Sequence, residues 1–161
     1  MLFDNTISIN NFQNYIEKIE DDIERFNSSL LANNIRNSAY KNTMSGKDID
    51  GKPFAPLKFR KGQPLMDKGH MLNSMLVKNG KTSSIYIKGS LQRLKANVHQ
   101  NGALIRPKRA KMLRFKANGT WYSAKQVNIP QRKFFPEIGS KLVKDETEDF
   151  KKLVLKFIKK G

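Results

Sequence analysis

Six apolar residues, Phe12, Ile16, Ile19, Ile23, Phe26 and Leu30, recur at intervals of four, three, four, three and four. Strand side chains alternate every two residues, so this rhythm fits no strand and instead draws one apolar stripe along a helix. Asn10 or Asn11 can cap its start by accepting a backbone N–H, and Glu17, Glu20, Asp21, Asp22 and Glu24 fall on the wet faces. Leu31, Ile35 and Tyr40 carry the stripe onward, which predicts a helical region over 9–40. With fewer than four heptads, the stripe predicts packing on the chain's own body rather than a coiled-coil seam.

Beyond that region the pattern changes. Gly46, Gly51, Pro53, Pro56, Gly62 and Pro64 break up residues 41–64 into loop. A short helix is predicted around Gly69, within Leu65 to Asn73. Met75-Leu76-Val77 and Ser84 to Ile87 flank Asn79-Gly80, a strong hairpin signal. Leu91, Leu94, Lys95 and Val98 predict a second short helix ending near His99. Lys111 to Lys116 and Thr120 to Ile129 predict a second hairpin turning at Asn118-Gly119. Asp145 to Lys159 reads as a closing helix with Phe150, Leu153, Val154, Phe157 and Ile158 on one face. Its acids Asp145, Glu146, Glu148 and Asp149 stand at the start and Lys156, Lys159 and Lys160 at the end, matching the helix dipole. The expected fold is therefore α+β: a small antiparallel sheet of two hairpins packed with a long N-terminal helix, short connecting helices and a C-terminal helix. The 161 residues are expected to make a single domain, with the hairpin body at 65–136 and the last helix at 145–160.

The net charge of +17 is unevenly distributed. Residues 1–50 balance to −3, residues 51–134 to +18 and residues 135–161 to +2. The middle segment holds nineteen Lys and Arg against one acid, Asp67. A Lys-, Asn- and Ile-rich composition follows from AT-rich coding sequence, but that bias does not remove acids. Such a field attracts nucleic acid, an acidic protein surface or anionic lipid, and steers association in a salt-dependent way.

Enzymatic chemistry finds little support. There is no cysteine, which excludes disulfides, thiolate metal sites and cysteine nucleophiles. Gly46 to Lys52 has the spacing of a phosphate-binding loop, yet Pro53 stands where a hydroxyl is needed and two acids inside would repel phosphate. Asp50-Gly51-Lys52 reads as the tail of a metal-dependent nuclease signature without the further carboxylates that magnesium requires. His70 and His99 are far apart in sequence and predict no zinc site. Trp121 and Tyr122, with Arg114, Lys116 and Lys125, are candidates for stacking on nucleic-acid bases, although neighbours on a strand face opposite ways and only one ring can be outside. No cationic segment precedes an apolar one at the start, and no apolar run approaches the roughly 20 residues that span a bilayer, so a soluble cytoplasmic product without membrane partners is expected.

Four short motifs occur in a telling order: Gly51-Lys52-Pro53-Phe54-Ala55-Pro56-Leu57; Pro64-Leu65 with Gly69 and Leu72-Asn73-Ser74; His99-Gln100-Asn101-Gly102; and Ile129-Pro130-Gln131-Arg132-Lys133-Phe134-Phe135. Together they resemble the phage virion morphogenesis family, the group of Mu-like protein G and tail completion proteins. The resemblance spans roughly Gly51 to Phe135, and departs from the family where Gln131 replaces a small residue and Lys133 a second proline. It implies a virion structural protein, assembled in the host cytoplasm, that works in tail completion or at the head–tail neck as a ring-forming subunit. It implies no enzymatic activity and no cofactor, and its partners would be copies of itself, tail tube or neck proteins, and DNA passing through the channel. Arg106, Lys108, Arg109, Lys111 and Arg114 are the expected partner- or DNA-facing basic patch. Pro130, Arg132 and Phe134 are the expected structural corner, because proline cannot donate to a ladder and the guanidinium offers a fork of donors to a carboxylate or a chain of carbonyls. The competing reading is a basic nucleic-acid-binding module.

Overall fold

The computed structural model describes residues 9–158. Helix α1 runs over Ile9–Met44, so Asn10 and Asn11 lie inside it and neither is its cap. At 1.5 Å per residue it is about 54 Å long, well beyond the roughly 30 Å width of a small domain. Among its described side chains the buried ones fall in the second half, where Ala32, Ile35, Ala39 and Thr43 line up at helical spacing against the core. The Thr43 hydroxyl is satisfied by donating to the Ala39 carbonyl at 2.9 Å. The packing expected of the Phe12–Leu30 stripe gives way at Ile23, which is 54% exposed. The side chains of Phe12, Ile16, Ile19 and Phe26 lie outside the described residues.

Helix α2 (His70–Asn73) leads into the antiparallel pair β1 (Met75–Lys78) and β2 (Ser84–Ile87), with Met75 opposite Ile87 and Lys78 opposite Ser84. The connection takes five residues, and neither Asn79 nor Gly80 adopts a positive φ. The predicted hairpin thus forms, and tertiary docking shapes its longer loop. The Ser83 amide donates to Ser28 Oγ at 2.7 Å, and Lys81 Nζ lies 2.7 Å from Asp21 on α1. Helix α3 (Ser90–Asn101) follows.

The second predicted hairpin forms as β4 (Leu113–Ala117) and β5 (Thr120–Ala124). Asn118 and Gly119, at φ 48° and 79°, make the two-residue turn that suits the strand twist. The expected strand from Thr120 to Ile129 breaks after Ala124, and its last part, β6 (Val127–Ile129), pairs with β3 (Ala103–Ile105). The α+β class thus holds, with three separate two-stranded ladders in place of one sheet. β3 has only three residues and no alternation, so it left no signal.

Helix α4 (Lys141–Ile158) begins four residues earlier than predicted, because Leu142 and Val143 belong to its apolar face. Its first turn holds no acid, so the predicted match of acids to the dipole is replaced by a longer-range contact: the Lys141 amide donates to Asp50 Oδ1 at 3.2 Å. The side chains of Phe157 and Ile158, and residues Lys159 and Lys160, lie outside the described residues. α4 runs antiparallel to α1, with Ser38 donating to Glu146 and Asn27 beside Phe150 and Val154. Ile35, Ala39, Ile49, Leu72, Met75 and Phe134 form the centre of the core between these layers. No helix among the described residues is long and apolar enough to cross a membrane.

Candidate functional site

The loop after α1 is built as a clasp. Asp48 Oδ1 accepts from the Asp50 and Lys52 amides at 2.9 and 2.7 Å, turning the chain back on itself. That turn drives Ile49 into the core, where its amide donates to the Lys133 carbonyl at 2.9 Å and its carbonyl accepts from Leu142 at 3.0 Å. The two acids that the sequence sets in this loop thus hold backbone: Asp48 its own turn, Asp50 the start of α4.

Two motifs thirty residues apart in sequence meet across β3 and β6. Gln100 Oε1 accepts from the amides of Phe134 at 3.1 Å and Phe135 at 3.0 Å, while its Nε2 donates to the Phe135 carbonyl and to Glu137 Oε1. The Arg132 amide donates to the His99 carbonyl at 2.7 Å. Pro130, half-buried, ends β6 just before this crossing, as a residue with no N–H must. Phe134 is fully buried.

Arg132 is only 4% exposed, yet among the described residues no carboxylate pairs with it. Its guanidinium takes the carbonyl chain instead, donating to Ala55 O from Nε at 3.3 Å and Nη2 at 3.0 Å, and to Pro56 O at 3.4 Å. Burial first, then the Arg60 cation, pulls it below the ordinary arginine value. Beside it, burial first, then Arg132 and Arg60, hold the His99 imidazole below its ordinary value of 6.5. A folded pKa below the unfolded one means that the folded chain refuses a proton which the unfolded chain accepts. The associated stability is therefore fully present above about pH 6.5 and is lost as pH falls toward the folded value, with a slope of at most about 1.4 kcal/mol per pH unit. Melting temperatures from about pH 8 to 5 should fall more steeply for the native chain than for His99→Gln; parallel curves would remove this account.

The basic hairpin stands next to this corner. β4 and β5 alternate cleanly, with Phe115 and Tyr122 turned inward under Phe59, all three rings within 5.1 to 5.7 Å of one another. The other face carries Arg114, Lys116 and Trp121. Trp121 is 62% exposed, and the Arg114 guanidinium lies 5.6 Å from its ring centre. Arg106, Lys108, Arg109 and Lys111 are exposed along the segment between β3 and β4, with Arg106 Nε donating to Gln126 Oε1 at 3.3 Å. Among the described residues none of these four, nor Arg114, makes an ion pair.

His99 lines two cavities. One, of about 240 Å³, lies beneath the hairpin against Phe59, Phe115 and Pro130. The other, of about 320 Å³, lies between the 57–69 loop and α3, and His70 lines it too. The two histidines that sequence distance separated are thus brought to one cavity, although among the described residues no three of His, Asp and Glu gather as metal ligands. Sequence reasoning missed Arg60, Gln92 and Gln100, whose roles depend on pairing between distant segments. Only Gln100 carried a signal, as part of the His-Gln-Asn-Gly run. In comparisons with known proteins, no family model, curated protein or solved structure matches this chain.

Proposed function

We propose that this chain is a non-enzymatic structural subunit of a phage virion, acting in tail completion or at the head–tail neck and closing into a ring of copies. The observation that carries the reading is the convergence of the four ordered motifs. Ala55 and Pro56 of the first accept from Arg132 of the fourth, and Leu65 and Leu72 of the second share the core with Phe134. Gln100 of the third holds the backbone of the fourth. Four unrelated short matches need not be neighbours, whereas a family's structural corner must be.

Ring closure joins two different patches of one subunit, so it needs projecting surface with something to offer. The basic segment from Arg106 to Arg114 offers cations to an acidic face of the next subunit, of a tail tube or neck protein, or to DNA in the channel. Light scattering and negative-stain microscopy of the purified chain, alone and with tails that lack it, should find rings or tail-bound copies. A chain that stays monomeric and binds no tail overturns the reading.

One observation favours the second reading, nucleic-acid binding: the exposed Trp121 ring flanked by Arg114. A single variant separates the two, with Arg106, Lys108, Arg109, Lys111 and Arg114 all changed to Gln. If DNA is the partner, the slope of log affinity against log salt should flatten by about 4 to 5, near 0.9 for each duplex phosphate that the variant no longer neutralises. If an acidic protein is the partner, ring formation or tail binding falls while DNA affinity barely changes. Assembly and salt response both unchanged would exclude this patch from either role.

A further inference from the structure

We propose that the outer face of β4 and β5 in one copy of this chain docks on the groove between α1 and α4 of the next copy. This deepens the assembly reading and rests on it, by naming the two patches that meet. The groove is lined by Asn27 of α1 and by Phe150, Lys151, Val154 and Leu155 of α4, around about 400 Å³ of open space. Apolar surface leads into it: Leu155, and Ile23 one turn before Asn27, are each 54% exposed. Its α1 edge is acidic. Glu17, Glu20, Glu24 and Asn27 follow one another at intervals of three, four and three, so they share one strip of the helix. The three glutamates are exposed. Glu24 lies 3.8 Å from Lys81, whereas among the described residues neither Glu17 nor Glu20 makes an ion pair. Lys151, the one cation on the groove wall, is paired with Glu148 at 3.0 Å.

The outer face of the hairpin carries the complementary set. Exposed Trp121 stands opposite Lys116, and Arg114 stands opposite Ser123 one pair along the same face. A large aromatic ring rimmed by charge is the kind of side chain that anchors an interface, because the ring is desolvated in a groove while the charges meet at its edge. Seating the indole between α1 and α4 brings Arg114 and Lys116 against Glu17 and Glu20. Nucleic acid could use the ring and the cations, but it would leave an acid-edged apolar groove without a partner. One chain cannot make this contact with itself. Phe59 packs on Phe115 and Tyr122, and Ala55 holds Arg132, so the hairpin is tied to the loop that leaves the Met44 end of α1. Asn27 lies about 25 Å back along the helix from Met44. Two opposite patches set apart on one subunit make a head-to-tail contact, which propagates into a closed ring or an open filament.

Sedimentation velocity of the full chain reads this contact directly. The native chain should associate as its concentration rises and come apart as salt is added. Glu17→Lys with Glu20→Lys should weaken association about tenfold or more, and so should Arg114→Glu with Lys116→Glu, because each pair sets like charges face to face. All four positions are exposed, so the changes leave the core untouched. Mixing equal amounts of the two variants should restore association, since each reversed patch then meets an opposite charge on the other variant. A folding defect could not be rescued in this way, and a mixture that stays apart overturns the contact. Trp121→Ala should weaken association by a similar factor. Variants that associate as tightly as the native chain also overturn it, while leaving ring closure to another pair of patches. A native chain that stays monomeric at every concentration overturns it too, and the assembly reading then rests on tail binding alone. Association unchanged in Trp121→Ala, with binding of a thymidine oligonucleotide lost, assigns the hairpin face to nucleic acid instead.

Discussion

Phe134→Ala should lower the free energy of unfolding by about 4 kcal/mol, the upper part of the range for removing a buried aromatic ring. The cost of such a change depends on how far the surroundings can collapse into the space left. Here they are held. Both amides around the ring, of Phe134 and Phe135, donate to Gln100 Oε1, and the carbonyl of Lys133 accepts from Ile49. Backbone tied to α3 on one side and to the 46–53 clasp on the other cannot move inward to fill the gap. Since chains of this size are held by roughly 5–15 kcal/mol, the variant should be close to unfolding at physiological temperature. Urea denaturation measures the effect directly. A loss below about 2 kcal/mol would mean that Gln100 and Ile49 do not pin the segment, and Phe134→Leu, which keeps most of the apolar surface in place, should lose clearly less than Phe134→Ala.

What was readable in the sequence was what local chemistry alone determines. The α1 helix, the Asn118-Gly119 turn and the α4 helix need only side-chain period and φ, and each formed within a few residues of its predicted place, although Ile23 and Leu153 of the two expected apolar faces are 54% and 43% exposed. The hairpin around Asn79-Gly80 also formed, between the expected strands, but its five-residue loop was not foreseeable, because Ser28, Ser29 and Asp21, more than fifty residues earlier, hold it. β3 went unseen for the same reason: Ala103 to Ile105 form a strand only because Val127 to Ile129 lie beside them. The site divides similarly. Charge is additive along a chain, so the basic segment from Arg106 to Arg114 was plain in the composition. Arg132 was legible as a fork in want of partners, but its choice of the Ala55 and Pro56 carbonyls depends on a loop seventy-six residues away. The cavity at His99 was invisible, since it is made where Arg60 of the 57–69 loop meets Gln92 and His99 of α3, two segments some thirty residues apart.

Gly102→Ala should destabilise the fold by about 3 kcal/mol or more, the second large effect expected here. Gly102 has φ 71° and ψ 165°, a backbone region open almost only to glycine, and an added Cβ would stand 3.1 Å from both the Gln131 amide nitrogen and the Ile129 carbonyl oxygen. Those are backbone atoms that cannot rotate aside. Ile129 is paired with Ala103 in the β3–β6 ladder, and the neighbouring Arg132 amide is bonded to His99. Strain and crowding therefore add. Gly119→Ala provides the control that separates them, because Gly119 has φ 79° but nothing within 4 Å of its Cβ position. It should lose only the strain, about 1 kcal/mol. Hydrogen exchange gives the local readout: in Gly102→Ala the amides of β3 and β6 should lose protection first, while those of β1 and β2 keep theirs. Equal costs at Gly102 and Gly119 would mean that the crossing of His99–Gly102 over Ile129–Phe135 yields without penalty. The corner would then be too soft to fix where the basic hairpin stands. A large gap between the two variants makes that crossing the rigid point from which the segment between β3 and β4 projects.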